Sequence, residues 1–78
     1  MATMYLVQAF KQSGSKLVAD PVQQAKTAEK AMATAERLGP IRAGVIAFSQ
    51  EVDIETDTYD EPRVLLRIGK LPPGLMDG

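Results

Sequence analysis

Apolar residues recur along this 78-residue chain with two different periods. Met4-Tyr-Leu-Val-Gln-Ala-Phe10 is rich in aromatic and branched residues, holds no breaker and predicts a first strand. In Lys11 to Ser15, Gly14 stands between two serines, a hairpin turn in which glycine supplies positive φ. Lys16-Leu-Val-Ala19 returns as a second strand, and Asp20-Pro21 interrupts it. Proline donates no ladder hydrogen bond, so this strand lies at an edge or bends there. The period then changes. Ala28, Ala31, Met32, Ala35 and Leu38 fall at i, i+3, i+4, i+7 and i+10, one apolar stripe of an α-helix. Thr27 is its natural N-cap, and Gly39-Pro40 is its stop signal, with Gly39 as a left-handed C-cap. Gly44 to Gln50 predicts a third strand whose alternation carries on through Val52 and Ile54, with Glu51, Asp53 and Glu55 on the opposite side. Thr56 to Tyr59 reads as a turn; Pro62 opens a fourth strand, Arg63-Val-Leu-Leu-Arg-Ile68, and Gly69 closes it.

The predicted fold is α+β, in the order β-β-α-β-β: a four-stranded antiparallel sheet with one helix packed on one face. Residues 1–70 form a single small domain, and 71–78, with two prolines and no period, form a flexible C-terminal tail. The two hairpins can join through the first and third strands or through the first and fourth.

A single helix covers one face of a sheet, and a half-solvated sheet alternates apolar and polar residues. These strands are apolar on both sides. Leu6, Phe10, Ile46, Phe48, Val64, Leu66 and Ile68 form the bulkier set and are assigned to the helix-covered core. Tyr5, Val7, Ala9, Val45, Ala47 and Leu65 form the second set, which leaves an apolar patch in water. Monomers seldom expose large contiguous apolar patches, and chains of this size often gain stability by oligomerising. A two-fold homodimer is therefore expected, in which sheet faces or edge strands meet, with the second set as the dimer face.

Charge changes the picture in one place. The net charge of -1 hides a segregation: residues 1–50 sum to +3, residues 51–61 to -6 and residues 62–78 to +2. Glu51, Asp53, Glu55, Asp57, Asp60 and Glu61 make the middle segment an acidic docking surface for a basic partner. A sequence pI near 5.2 disfavours nucleic acid as the partner, because phosphate neutralisation needs a positive face. Lys26, Lys30 and Arg37 give one helix flank a basic character, but with Glu29 and Glu36 alongside they read as a mixed solvated face.

Candidate chemistry is sparse. The chain has no Cys, His or Trp, which removes disulfides, thiol nucleophiles and imidazole bases. Asp53-x-Glu55-x-Asp57 resembles the start of a calcium loop, but the sixth and twelfth positions hold Thr58 and Val64 instead of Gly and Glu. Ser13, Ser15 and Ser49 lack a histidine, and Lys16 beside an open turn is a poor base. The glycines match no phosphate-cradling spacing. No enzyme activity, cofactor or metal is expected. No apolar run approaches the ~20 residues of a membrane span and no secretory signal is visible, so a cytoplasmic, non-membrane product is expected.

Lys26-Thr-Ala-Glu-Lys-Ala31, Ala35-Glu-Arg-Leu38, Ala43-Gly-Val-Ile-Ala-Phe-Ser49 and Tyr59-Asp-Glu-Pro62, with the opening Tyr5-Leu-Val-Gln-Ala-Phe10, resemble a group of short bacterial proteins of unknown function. The group is common in alphaproteobacteria and sometimes lies near prophage genes. The resemblance implies a small cytoplasmic bacterial or phage-derived protein and supplies no site residues. At Ala43-Gly44, close backbone approach within the sheet is a sufficient explanation of the small residues. The expected function is a non-enzymatic, homodimeric protein-interaction module. The alternatives are a small nucleic-acid-associated regulator, or an accessory subunit or ligand-binding domain with its site at the dimer seam.

Overall fold

The computed structural model describes residues 2–59 and 61–72. Strand β1 (Ala2–Ser13) turns at Gly14 into β2 (Lys16–Ala19), and after a break at Asp20-Pro21 the chain forms β3 (Gln23–Ala25). Helix α1 (Ala28–Leu38) and a 3-10 turn (Gly39–Ile41) lead to β4 (Gly44–Asp53). A turn at 54–57 returns the chain as β5 (Thr58–Tyr59), and β6 (Arg63–Gly69) follows. The fold is α+β, as expected, but the described residues form six strands in the order β-β-β-α-β-β-β in place of four.

All pairings are antiparallel, and the six strands occupy four positions across the sheet. The long strands β1 and β4 pair at the centre over Ala2↔Val52 to Phe10↔Gly44, which joins the hairpins through the first and third predicted strands. β2 and β3 lie end to end along the outer side of β1, and β5 and β6 lie end to end along the outer side of β4. Proline explains both interruptions: Pro21 follows β2 and Pro62 precedes β6, each where a ladder donor is missing. The first break is tied down by Asp20, whose carboxylate accepts a 2.6 Å hydrogen bond from Arg42 Nε in the loop before β4. The acidic turn comes earlier than expected, and Thr58 and Tyr59 pair with Asp53 and Val52 as strand.

Helix α1 has the stripe its sequence predicts. Ala31, Ala35 and Leu38 are buried, and the Thr27 hydroxyl accepts a 3.1 Å hydrogen bond from the Lys30 amide. Its end differs from the expectation. Gly39 is right-handed, with φ -50°, and the chain continues into the 3-10 turn. The role of Gly39 is packing: a Cβ there would stand 3.1 Å from the Ile68 side chain.

The helix lies on the opposite face from the one assigned by bulk. The cluster beneath it is Val7, Ala9, Ala31, Ala35, Leu38, Val45 and Ala47, with Tyr5, Ala25, Leu65, Leu66 and Ile68 packed around it. The expectation that the bulkier set meets the helix is therefore corrected. A stripe built on alanine packs closely only against a sheet face that is itself small-residued, and interiors leave no gaps between such surfaces. The other face carries a second cluster, Phe10, Ile46 and Phe48, enclosed by Leu6, Leu17, Val64 and Leu71. Leu66 and Ile68 belong to the helix face because β6 carries an irregularity: Ala47 pairs with Leu66 but Phe48 pairs with Val64, so Leu65 is an extra residue. A bulge of this kind breaks the alternation and changes which face later residues occupy.

At the far end of this pair, Gly44 stands opposite Gly69. A Cβ on Gly44 would overlap the Lys70 carbonyl oxygen, so the small residue at 44 reflects close backbone approach, as the sequence suggests. Gly69, with φ +70°, then turns the chain so that Leu71 packs onto the bulky cluster. Leu71 and Pro72 are half-buried; the rest of the segment expected to be a flexible tail, 73–78, lies outside the described residues.

Candidate functional site

The structure places Val7, Ala9, Val45 and Ala47, four of the six residues expected at a dimer face, under α1 at 0–4% exposure. Tyr5 and Leu65 sit at the margin of the same cluster and are half-buried. That face cannot meet a second copy while the helix covers it. The reason is again the fit of alanine to small residues, which sends the helix to the face that bulk alone leaves open.

The acidic segment forms the end of the β4–β5 hairpin and its return to β6. Glu51, Glu55, Asp57 and Glu61 are exposed and Asp53 is half-buried; Asp60 lies outside the described residues. The turn organises itself locally. Asp53 Oδ1 accepts a 3.1 Å hydrogen bond from the Glu55 amide, the Thr56 and Thr58 hydroxyls lie 2.8 Å apart, and Asp57 adopts φ +54°. Aspartate tolerates that left-handed conformation better than most residues, which accounts for its place in the turn. Among the described residues no group of three or more acidic side chains is placed to hold a metal ion.

The hairpin end has two unlike sides. Strand register puts Ala2, Val52 and Tyr59 in one row and Thr3 with Glu51 in the next row, on the other side. Tyr59 is 64% exposed and Ile54, at the turn, 77%. Ile54 borders a shallow hollow with Ala2, Asp53 and Glu55. Large apolar side chains thus stand in water among carboxylates.

On the other side, beyond the end of the helix-covered patch, register aligns Ala25, Tyr5, Ser49 and Arg63 across all four positions of the sheet. Tyr5, Ser49 and Arg63, with Thr3, Glu51, Glu61 and Leu65, line an open concavity of about 310 Å³. The acidic segment is therefore divided: Glu51 and Glu61 rim this concavity, while Asp53 and Glu55 rim the hollow beside Ile54. Among the described residues Arg63 makes no ion pair with either glutamate. The concavity offers a phenol, two hydroxyls, a guanidinium and two carboxylates beside Leu65, a set suited to mixed polar contacts. The sequence alone does not show this grouping. Tyr5, Ser49 and Arg63 become neighbours only once the first and third strands are known to pair. Lys30 and Arg37 are exposed on the helix, and Lys26 is exposed just before it, next to the end of β3.

Comparison of the chain with protein-family models, with curated proteins and with solved structures finds no match. Among the described residues, no helix is long and apolar enough to cross a membrane.

Proposed function

We propose that the chain is a cytoplasmic, non-enzymatic protein-interaction module that works as a homodimer and docks a partner through its acidic hairpin end. The observation that carries the docking surface is the exposure of Ile54 and Tyr59, at 77% and 64%, within a segment that holds six carboxylates and no base. Apolar side chains held in water next to concentrated like charge are costly as surface and useful as an interface: the apolar groups supply affinity and the charges supply orientation and rate. The partner that fits is a protein segment pairing basic residues with an apolar anchor.

The test is site-specific photo-cross-linking in cells, with the probe at Tyr59 and, as a control, at Val18 on the far edge. A discrete adduct is expected from position 59 and not from 18. Combining the probe with Asp53→Asn, Glu55→Gln and Asp57→Asn is expected to reduce the adduct about tenfold. An adduct of unchanged yield in the neutralised variant, or equal adducts from both positions, overturns the docking surface.

A further inference from the structure

We infer that the concavity around Tyr5, Ser49 and Arg63 binds a free α-amino acid with an apolar side chain, held as its zwitterion. The inference rests on neither the homodimer nor the docking surface at Ile54 and Tyr59. Polar groups at this end of the molecule are of two kinds. In the turn they satisfy one another: Asp53 accepts from the Glu55 amide, and the Thr56 and Thr58 hydroxyls are paired. Around the concavity they do not. Among the described residues, the Tyr5 and Ser49 hydroxyls, the Glu51 and Glu61 carboxylates and the Arg63 guanidinium make no hydrogen bond or ion pair. The strand ladder holds them round one space instead. Tyr5, Ser49 and Arg63 share a cross-sheet row, and Glu51 stands in the next row on the same face, about 7 Å along the strands. Opposite charges are thus kept near each other without cancelling.

The charges select the ligand. A simple cation drawn to Glu51 and Glu61 also meets Arg63, and a simple anion on Arg63 stands beside two carboxylates, so each is repelled as well as attracted. A neutral molecule uses none of the three charges. A molecule that carries both signs uses them all. Its carboxylate takes the guanidinium fork, which binds carboxylates through two parallel hydrogen bonds, and its ammonium turns to the glutamates. An α-amino acid bears both groups on one carbon, which suits charges set this close. Its side chain then lies against Leu65 and the Tyr5 ring, both half-buried. The space of about 310 Å³ is at the small end of ligand sites, a size for one amino acid and not for a nucleotide. The concavity is open and leaves part of the ligand in water, so the affinity is modest.

Amide chemical shifts of the isotope-labelled chain, titrated with L-leucine, test this. Saturable shifts are expected at Tyr5, Ser49 and Arg63, with a Kd of about 1 mM, and none at Val18 on the far edge. N-acetyl-leucine, which lacks the ammonium, and leucinamide, which lacks the carboxylate, are each expected to bind about tenfold more weakly. Arg63→Gln is expected to abolish saturation by leucine, and Arg63→Lys, which keeps the charge without the fork, to fall between the two. Arg63 is exposed, and the dispersion of each variant's spectrum shows that it still folds. No saturable shift with leucine overturns the site, as does undiminished binding to the Arg63→Gln variant. Leucinamide binding as tightly as leucine makes the concavity a cation site continuous with the acidic docking surface; that outcome overturns the zwitterion and leaves the docking surface standing. N-acetyl-leucine binding as tightly as leucine overturns the part given to the glutamates, and with it the proposal.

Discussion

The two faces of the sheet are both apolar and both closed, yet they are built on opposite rules. Under α1, the closing surfaces are alanine against alanine and valine: Ala31 and Ala35 from the helix, Val7, Ala9, Val45 and Ala47 from the strands. Across the sheet, the closing groups are Phe10, Ile46 and Phe48, and among the described residues no helix lies over them; Leu6, Leu17, Val64 and Leu71 fold around them. One face is closed by bringing backbones near, the other by filling space with rings and branches. Hydrophobicity is common to both. What distinguishes them is volume, and volume decides which mutations each face tolerates.

The largest expected effect is on the bulky face. Phe48 is 7% exposed and packs between Leu6 and Val64 in register. Phe48→Ala is expected to lower stability by about 3–5 kcal/mol, the sum of lost transfer energy and an unfilled cavity. Urea unfolding checks it. A loss below about 1 kcal/mol would mean that the face collapses freely, and the contrast between filled and close-approach packing would be gone. The mirror experiment enlarges the small face. Ala35 is fully buried, and Ala35→Leu is expected to cost about 1–3 kcal/mol by lifting the helix from the sheet. A neutral or stabilising result would show spare room under α1.

How much of this is legible in the sequence follows the same division. The strands, the helix with its Thr27 cap, and the Pro21 break at an edge could be read because each depends on near neighbours in the chain. Which face the helix takes could not be read from bulk, because the deciding quantity is the match between Ala31 and Ala35 and strand residues on both sides of the helix in sequence, Val7 and Ala9 before it and Val45 and Ala47 after it. The bulge at Leu65 compounds the difficulty: strict alternation puts Val64, Leu66 and Ile68 together, whereas the extra residue sends Leu66 and Ile68 to the other face. The concavity of Tyr5, Ser49 and Arg63 was hidden for a related reason, since it exists only in the register of β1, β4 and β6. The acidic segment was visible at once as charge. Its division between two sides, and the exposure of Ile54 and Tyr59 within it, required the hairpin to be built.

A smaller effect sharpens the contrast at the bulky face's one late contribution. Leu71 follows β6 and is only half-buried, so Leu71→Ala is expected to cost about 1–2 kcal/mol, well below the Phe48 figure. Amide exchange should rise in β1 and β4 around Phe10 and Phe48 while α1 keeps its protection. Equal loosening of the helix would mean that the two clusters do not respond separately.

The smallest change acts on the helix face alone. Thr27 caps α1 through its hydroxyl and is itself exposed. Thr27→Ala leaves the Lys30 amide without its side-chain acceptor, at a cost of about 1 kcal/mol. The first turn of α1 also carries Ala28 and lies near Ala25, so fraying there opens the margin of the small face beside Tyr5. The bulky face shares only the backbone of β1 and β4 with that margin. If the faces are separate packings joined by one sheet, exchange in the T27A variant increases in the first helical turn and at Tyr5, and stays as it was at Ile46 and Phe48. If exchange increases everywhere by the same factor, opening of the helix end is global unfolding, and the sheet with its two faces behaves as a single cooperative unit. The sign of the stability change cannot separate these outcomes; the distribution of exchange does.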